Sequence, residues 1–340
     1  MEVYKINSHK SKLMALCILS IMICHNTMQF TGMPQSINDA IRLFCQGGVD
    51  GFLILSGLGC YYSYHKIHSV KKYYIRRVTR ILPTYIFVIV CYAVFCILIV
   101  KSCTVSQYLY NYSLITFWTN GVLKEWYVAA LIVLYILSPL MFELVDKSKT
   151  IYMILTTVIM SISVLFSMIN LPDNLSIINE VFGCRISAFM IGGFLASFDT
   201  PNNVKVNTKK FLIERILEFA LVSAIWWGIY NLEIPCRMVL LRLLFLPIWL
   251  ILFSIMSTIM DCSQKQYKIL SGIGAITFEL YLVHEKILGI TFFVCYRLVG
   301  NQIIRTIIDN IMAVLLSIVC AYIIHKIMNL KIILKKGMYN

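Results

Sequence analysis

The sequence predicts an all-α fold: a polytopic transmembrane helix bundle of about ten spans with both termini cytoplasmic. Three observations predict it. The 340 residues are 59% hydrophobic and only 14% charged, with a mean hydropathy of +0.80, whereas soluble domains run nearer to ~25% charged. Apolar runs long enough to cross a bilayer recur from residue 12 to residue 330. Basic residues fall between those runs in an alternating pattern.

A hydrocarbon core about 30 Å thick needs about 20 apolar residues in a helix. Ten such runs are drawn at 12–30, 46–64, 81–101, 126–144, 151–169, 180–198, 212–230, 238–260, 272–295 and 308–330. The first follows Lys5, Lys10 and Lys12, as in a signal peptide. It is longer than a usual signal-peptide core and has no small-residue cleavage site after it, so it is expected to be an uncleaved span. The runs at 46–64 and 180–198 both contain glycines and charge. The aromatic segment 105–120, with Tyr108, Tyr110, Tyr112 and Trp118, suits the outer membrane interface. No linker, repeat or low-complexity tract interrupts the series, so residues 1–340 are expected to form a single transmembrane domain.

With the N-terminus inside and ten spans, about 19 Lys and Arg fall in inside segments and about six in outside segments, counting Lys12 and Lys101 at the edges of their runs with the adjoining loops. That asymmetry places both termini in the cytoplasm. It also accounts for the net charge of +14 and the isoelectric point of about 9.2. The charges form no continuous basic face, which argues against nucleic acid as a partner. The twelve Cys show no C-x-x-C spacing. Most sit in apolar runs, where they behave as small hydrophobes. Cys45, Cys103 and Cys236 are placed toward the outer side.

An ionisable side chain inside a span is costly and by default marks a functional site. His25, Asp50, Arg185, Glu279, His284 and Arg242 form this set. An imidazole ordinarily titrates near neutrality, so His25, in the outer half of the first run, can serve as acid or base. His284 shares a helix face with Tyr281, three residues earlier. Asp50 lies among three glycines in GGVDGFLILSG, at a helix start where a carboxylate complements the dipole. The stretch KKYYIRRVTRILP carries Lys71, Lys72, Arg76, Arg77 and Arg80. These either touch anionic headgroups or clamp the phosphates of a nucleotide-like donor, because Arg76 and Arg80 are one helical turn apart and guanidinium forks suit phosphate. His65 and His68 form an H-x-x-H pair with no nearby carboxylate in sequence, so no metal site is expected. No Walker A, G-x-S-x-G or H-E-x-x-H motif is present.

Together these residues resemble the integral-membrane acyltransferase-3 family, the O-acyltransferases that modify surface polysaccharides. The resemblance covers most of the chain, in the family's order. It begins with the apolar helix ending in His25 and GGVDGFLILSG (47–57), and continues with YYIRRVTRILPTY (73–85) and EWYVAALIVLYILSPL (125–140). RISAFMIGGFLA (185–196) and ITFELYLVHEKIL (276–288) complete it. Three positions depart from the family pattern: Lys12 stands near a common Arg, Leu53 replaces a Phe, and Lys286 replaces a frequent Pro.

The resemblance implies an enzyme of the cell membrane with no permanently bound cofactor. Acyl-CoA, most often acetyl-CoA, would be the donor substrate. A surface polysaccharide or its lipid-linked precursor would be the acceptor, with membrane lipids as surroundings. Lys72, Arg76, Arg77 and Arg80 would hold the donor phosphates. His25 would be the general base or carry the acyl group, oriented by Asp50 or Glu125. Tyr281, Arg185 and His284 would be candidates to stabilise the oxyanion. Two other classes fit the composition. A transporter or flippase for lipid-linked sugars predicts broken helices in related halves, and the chain shows candidate breaks near 47–51 and 272–274 without half-to-half symmetry. A non-catalytic assembly partner would have less reason to keep the polar set.

Overall fold

The computed structural model describes residues 3–26, 34–198, 207–263 and 267–337, with side chains to residue 329. Helices are the expected answer for these runs, because in hydrocarbon every backbone N–H and C=O must be satisfied within its own segment or a closed barrel. In chain order the helices are α1 (Val3–Ser8), α2 (Lys10–Asn26), α3 (Gln35–Gln46), α4 (Gly48–Ile67), α5 (Val70–Ala93), α6 (Val105–Asn111), α7 (Leu114–Asn120), α8 (Trp126–Lys147) and α9 (Lys149–Ser167). They continue with α10 (Asp173–Val181), α11 (Ile186–Ala196), α12 (Thr208–Tyr230), α13 (Arg237–Leu243), α14 (Phe245–Cys262), α15 (Lys268–Ala275), α16 (Thr277–Leu298) and α17 (Gln302–Gly337). A π-helical stretch, Val94–Ile99, extends α5, and a 3-10 turn, Gly183–Arg185, joins α10 to α11. No strand occurs among the described residues.

Seven segments are long and apolar enough to cross a membrane: Gln35–Ile67, Val70–Ile99, Trp126–Lys147, Lys149–Ser167, Asp173–Ala196, Arg237–Cys262 and Gln302–Asn329. The remaining predicted runs fall mainly on α2, α12 and α16. They differ from the seven in length or charge. Helix α2 spans 17 residues, and residues 27–30 of its run lie outside the described residues. Helix α12 carries Lys209, Lys210, Glu214, Arg215 and Glu218. Helix α16 carries Glu279, Glu285, Lys286 and Arg297. Segment 105–120 folds as the short helices α6 and α7. Each has seven residues, about 10 Å of helix and too short to cross. Thr104 and Gln107 close a capping box on α6, and Gly121 ends α7 in the left-handed conformation at φ 69°, a standard helix stop.

The described chain forms two compact units. The first comprises Met1–Leu13, Val49–Arg77 and Thr104–Gln266. Its tightest seam is between α4 and α11. A Cβ added at Gly57 would run into the Phe189 carbonyl, and one at Gly192 into the Ile54 carbonyl. Small residues let helix backbones approach closely in a membrane, where no hydrophobic drive pulls helices together. Polar contacts then hold the seams. The Tyr152 hydroxyl of α9 donates to the Met190 carbonyl of α11 at 3.0 Å, and Tyr73 of α5 shares a 2.7 Å hydrogen bond with Ser138 of α8. Tyr61 and Tyr64 of α4 donate to Asp146 and Glu143 of α8 at 2.6 and 2.8 Å.

The second unit comprises Met14–Gly48, Val78–Cys103 and Tyr267–Asn340. Helices α16 and α17 form a long hairpin within it, pinned by a 2.9 Å contact between Glu279 and His325. The Ser20 hydroxyl donates to the Cys45 carbonyl at 2.9 Å, tying α2 to α3.

Replacing Gly192 by Leu should lower the unfolding midpoint of the detergent-solubilised protein, by about 1–3 kcal/mol of overpacking. Gly228→Leu, at a position with nothing within 4 Å of an added Cβ, should leave that midpoint within error.

Candidate functional site

The second unit brings two predicted residues together. His25 sits in the last turn of α2 and His284 in the middle of α16, and their rings meet edge to face with centroids 5.0 Å apart. Glu285, the next residue on α16, places Oε1 at 3.1 Å from His25 Nε2. The His25 side chain is 31% exposed, whereas His284 is only 4% exposed. This produces a polar corner with one open side, made by helices whose remaining residues are largely apolar.

The hydrogen bonds define what each imidazole can do. His284 Nδ1 lies 2.7 Å from the Tyr281 carbonyl and 3.2 Å from the Leu280 carbonyl. A carbonyl only accepts, so Nδ1 carries the proton and Nε2 of the neutral ring keeps its lone pair. That Nε2 is buried and has no hydrogen-bond partner. His25 turns Nε2 toward the Glu285 carboxylate at ion-pair distance. A carboxylate beside an imidazole can select its tautomer and support the imidazolium. Tyr281 lies beside them, its ring 5.7 Å from that of His284.

The first unit gathers a different set. Asp50 is in the first turn of α4 and is 1% exposed, and Arg185 in the 3-10 turn is 2% exposed. Arg185 Nε donates to Asp50 Oδ2 at 3.2 Å, and its Nη1 donates to the Val181 carbonyl at 2.8 Å. The Trp126 ring lies 5.2 Å from the guanidinium carbon. Arg242 of α13, largely buried, donates to Glu180 Oε1 at 2.7 Å. Glu125 is buried immediately before α8. A buried charge persists only when paired and hydrogen-bonded, and both buried arginines of this unit meet that condition. The carboxylate that reaches His25 is Glu285, while the Asp50 carboxylate is occupied by Arg185.

Lys72, Arg76, Arg77 and Arg80 all lie on α5. Lys72, Arg76 and Arg80 are exposed and Arg77 is half-buried. The Arg77 guanidinium lies 4.9 Å from the Tyr73 ring centroid and 5.3 Å from that of Tyr135. Of the H-x-x-H pair, His65 meets a carboxylate after all: its Nε2 is 3.0 Å from Asp146 Oδ2. That partner comes from α8, far away in sequence. All twelve cysteines are free thiols. Among the described residues, the set that offers three ligand atoms within 4.8 Å of one another is His25, His284 and Glu285.

Sequence reasoning missed Glu285. It is a charge inside an apolar run, the same signal that singled out Glu279, and its meeting with His25 depends on how α2 lies beside α16.

The helices and the imidazole pair beside Glu285 define a class: a polytopic helical membrane protein with a polar histidine corner among apolar helices. A family model described as an acyltransferase domain matches residues 13–326, nearly the whole chain, so the protein belongs to this acyltransferase-3 family of membrane acyltransferases. Comparison with curated proteins and with solved structures found no match.

Arg185→Met should destabilise the protein by about 3–5 kcal/mol, because it strands the Asp50 carboxylate without its partner. The double variant Asp50→Leu with Arg185→Met should recover most of that loss, read from unfolding midpoints in detergent.

Proposed function

We propose that this protein is an O-acyltransferase of the cell membrane, with both termini cytoplasmic. It moves an acyl group, acetyl above all, from cytoplasmic acyl-CoA to a hydroxyl of a surface polysaccharide or its lipid-linked precursor. The observation that carries this reading is the His25–Glu285 contact beside the bare Nε2 of His284, in a chain of acyltransferase family.

In the proposed reaction His25 Nδ1 takes the proton of the acceptor hydroxyl as its oxygen attacks the thioester carbonyl. Glu285 holds the ring and supports the imidazolium. His284 Nε2 accepts a hydrogen bond from the sugar and orients it. The Tyr281 hydroxyl is the proposed donor to the oxyanion. Collapse of the tetrahedral intermediate breaks the C–S bond, and the departing thiolate recovers the proton from His25. Lys72, Arg76, Arg77 and Arg80 are proposed to bind the phosphates of the donor, for which guanidinium forks are suited. Asp50, Arg185 and Glu125 are assigned to holding the helices of the first unit.

His25→Ala should abolish transfer from labelled acyl-CoA by protein reconstituted in lipid, with membrane insertion unchanged. Glu285→Gln should lower kcat by about 100-fold, within the usual range for general-base support. Full acylation of the glycan by His25→Ala, measured by mass spectrometry, would overturn the mechanism.

Arg76→Ala combined with Arg77→Ala should raise the KM for acyl-CoA by about 10-fold or more, the equivalent of one lost charge-assisted contact. An unchanged KM would assign these arginines to lipid headgroups.

A further inference from the structure

We propose that His25, His284 and Glu285 also form a binding site for a divalent transition ion of the zinc class, and that its occupation switches acyl transfer off. The switching half of this inference rests on the acyltransferase reading above; the binding half does not. The three side chains supply two imidazole nitrogens and one carboxylate oxygen within 4.8 Å of one another. Mixed nitrogen and oxygen donors of this kind select zinc, cobalt or nickel over magnesium and calcium, which take oxygen ligands. Three protein ligands with a fourth position open is the pattern of non-structural zinc sites.

The His284 ring is prepared as a ligand. Its Nδ1–H is held by the Tyr281 carbonyl at 2.7 Å, which is the outer hydrogen bond that metal-binding histidines characteristically make. The ring's other nitrogen is buried and without a hydrogen-bond partner. A tetrahedral ion with bonds of about 2.0–2.1 Å holds its ligand atoms roughly 3.3 Å apart. The His25 Nε2–Glu285 Oε1 separation of 3.1 Å already matches that spacing. Small rotamer adjustments would bring His284 Nε2 to the same ion. The half-exposed edge of His25 and Glu285, 31% and 43% by side chain, gives the ion its entrance and its fourth, solvent-facing position. Once bound, the ion occupies the lone pair of His284 and the space between His25 Nε2 and Glu285, which leaves the proton of the His25 ring on Nδ1. Neither imidazole then serves the acceptor hydroxyl.

The test is a cobalt titration of chelator-treated full-length protein in detergent, followed by zinc displacement. The expected result is one cobalt per chain with the visible absorption of a four-coordinate ion, displaced by zinc. His284→Gln and Glu285→Gln should each weaken binding by about 10- to 100-fold or more, whereas Glu279→Gln, at the other His–Glu contact, should leave it unchanged. Zinc should inhibit acyl transfer at the concentrations that displace cobalt, and chelator should restore it. Absence of the absorption, or binding unaltered in His284→Gln, would overturn the site. Stoichiometric binding without inhibition would overturn the switch. Binding by a chelator-treated protein that transfers no acyl group from any donor would support the site and overturn the acyltransferase reading instead.

Discussion

Glu285 against His25 is the contact on which the chemistry proposed for this protein depends. A neutral imidazole in an apolar helix has two nitrogens of interchangeable role, and nothing in bulk hydrocarbon tells it which one to protonate. The carboxylate 3.1 Å from Nε2 favours a proton on that nitrogen. The Tyr281 carbonyl holds the proton of His284 on Nδ1, and burial of that ring strengthens the hydrogen bond.

The membrane helices are mostly apolar. The two buried arginines of the first unit are matched, Arg185 to Asp50 and Arg242 to Glu180, so that the helices around them stay in register. Glycines at 57 and 192 bring α4 and α11 into backbone contact, and tyrosine hydroxyls on α4, α5 and α9 reach acceptors on neighbouring helices. Lipid offers helices no hydrophobic reason to associate. Close backbone approach and interhelical hydrogen bonds are therefore what keep the helices of this unit in place.

Much of the candidate site was legible because burying a charge in lipid is expensive enough to be visible in a bare sequence. His25, His284, Asp50 and Arg185 were each conspicuous against an apolar background. Their partners were less so. Asp50 was read as a companion for His25, since carboxylates orient imidazoles, but Arg185, 135 positions away, occupies it. Glu285 adjoins His284 in sequence, but the imidazole it reaches, His25, is 260 positions away. The partner of His65 was invisible for the same reason that all long-range pairs are: Asp146 is 81 positions distant.

By itself the sequence determined that this chain is helical and lies in a membrane, since 20-residue apolar runs admit no other backbone solution in hydrocarbon. It also determined which side chains are too costly to be incidental, and their order along the chain was enough to suggest the acyltransferase family. Only the tertiary structure decided which of those side chains meet. Helix periodicity sets the face a residue occupies, but the neighbour on that face depends on how helices far apart in sequence pack, and that packing turned His25, His284 and Glu285 from three polar anomalies into one site.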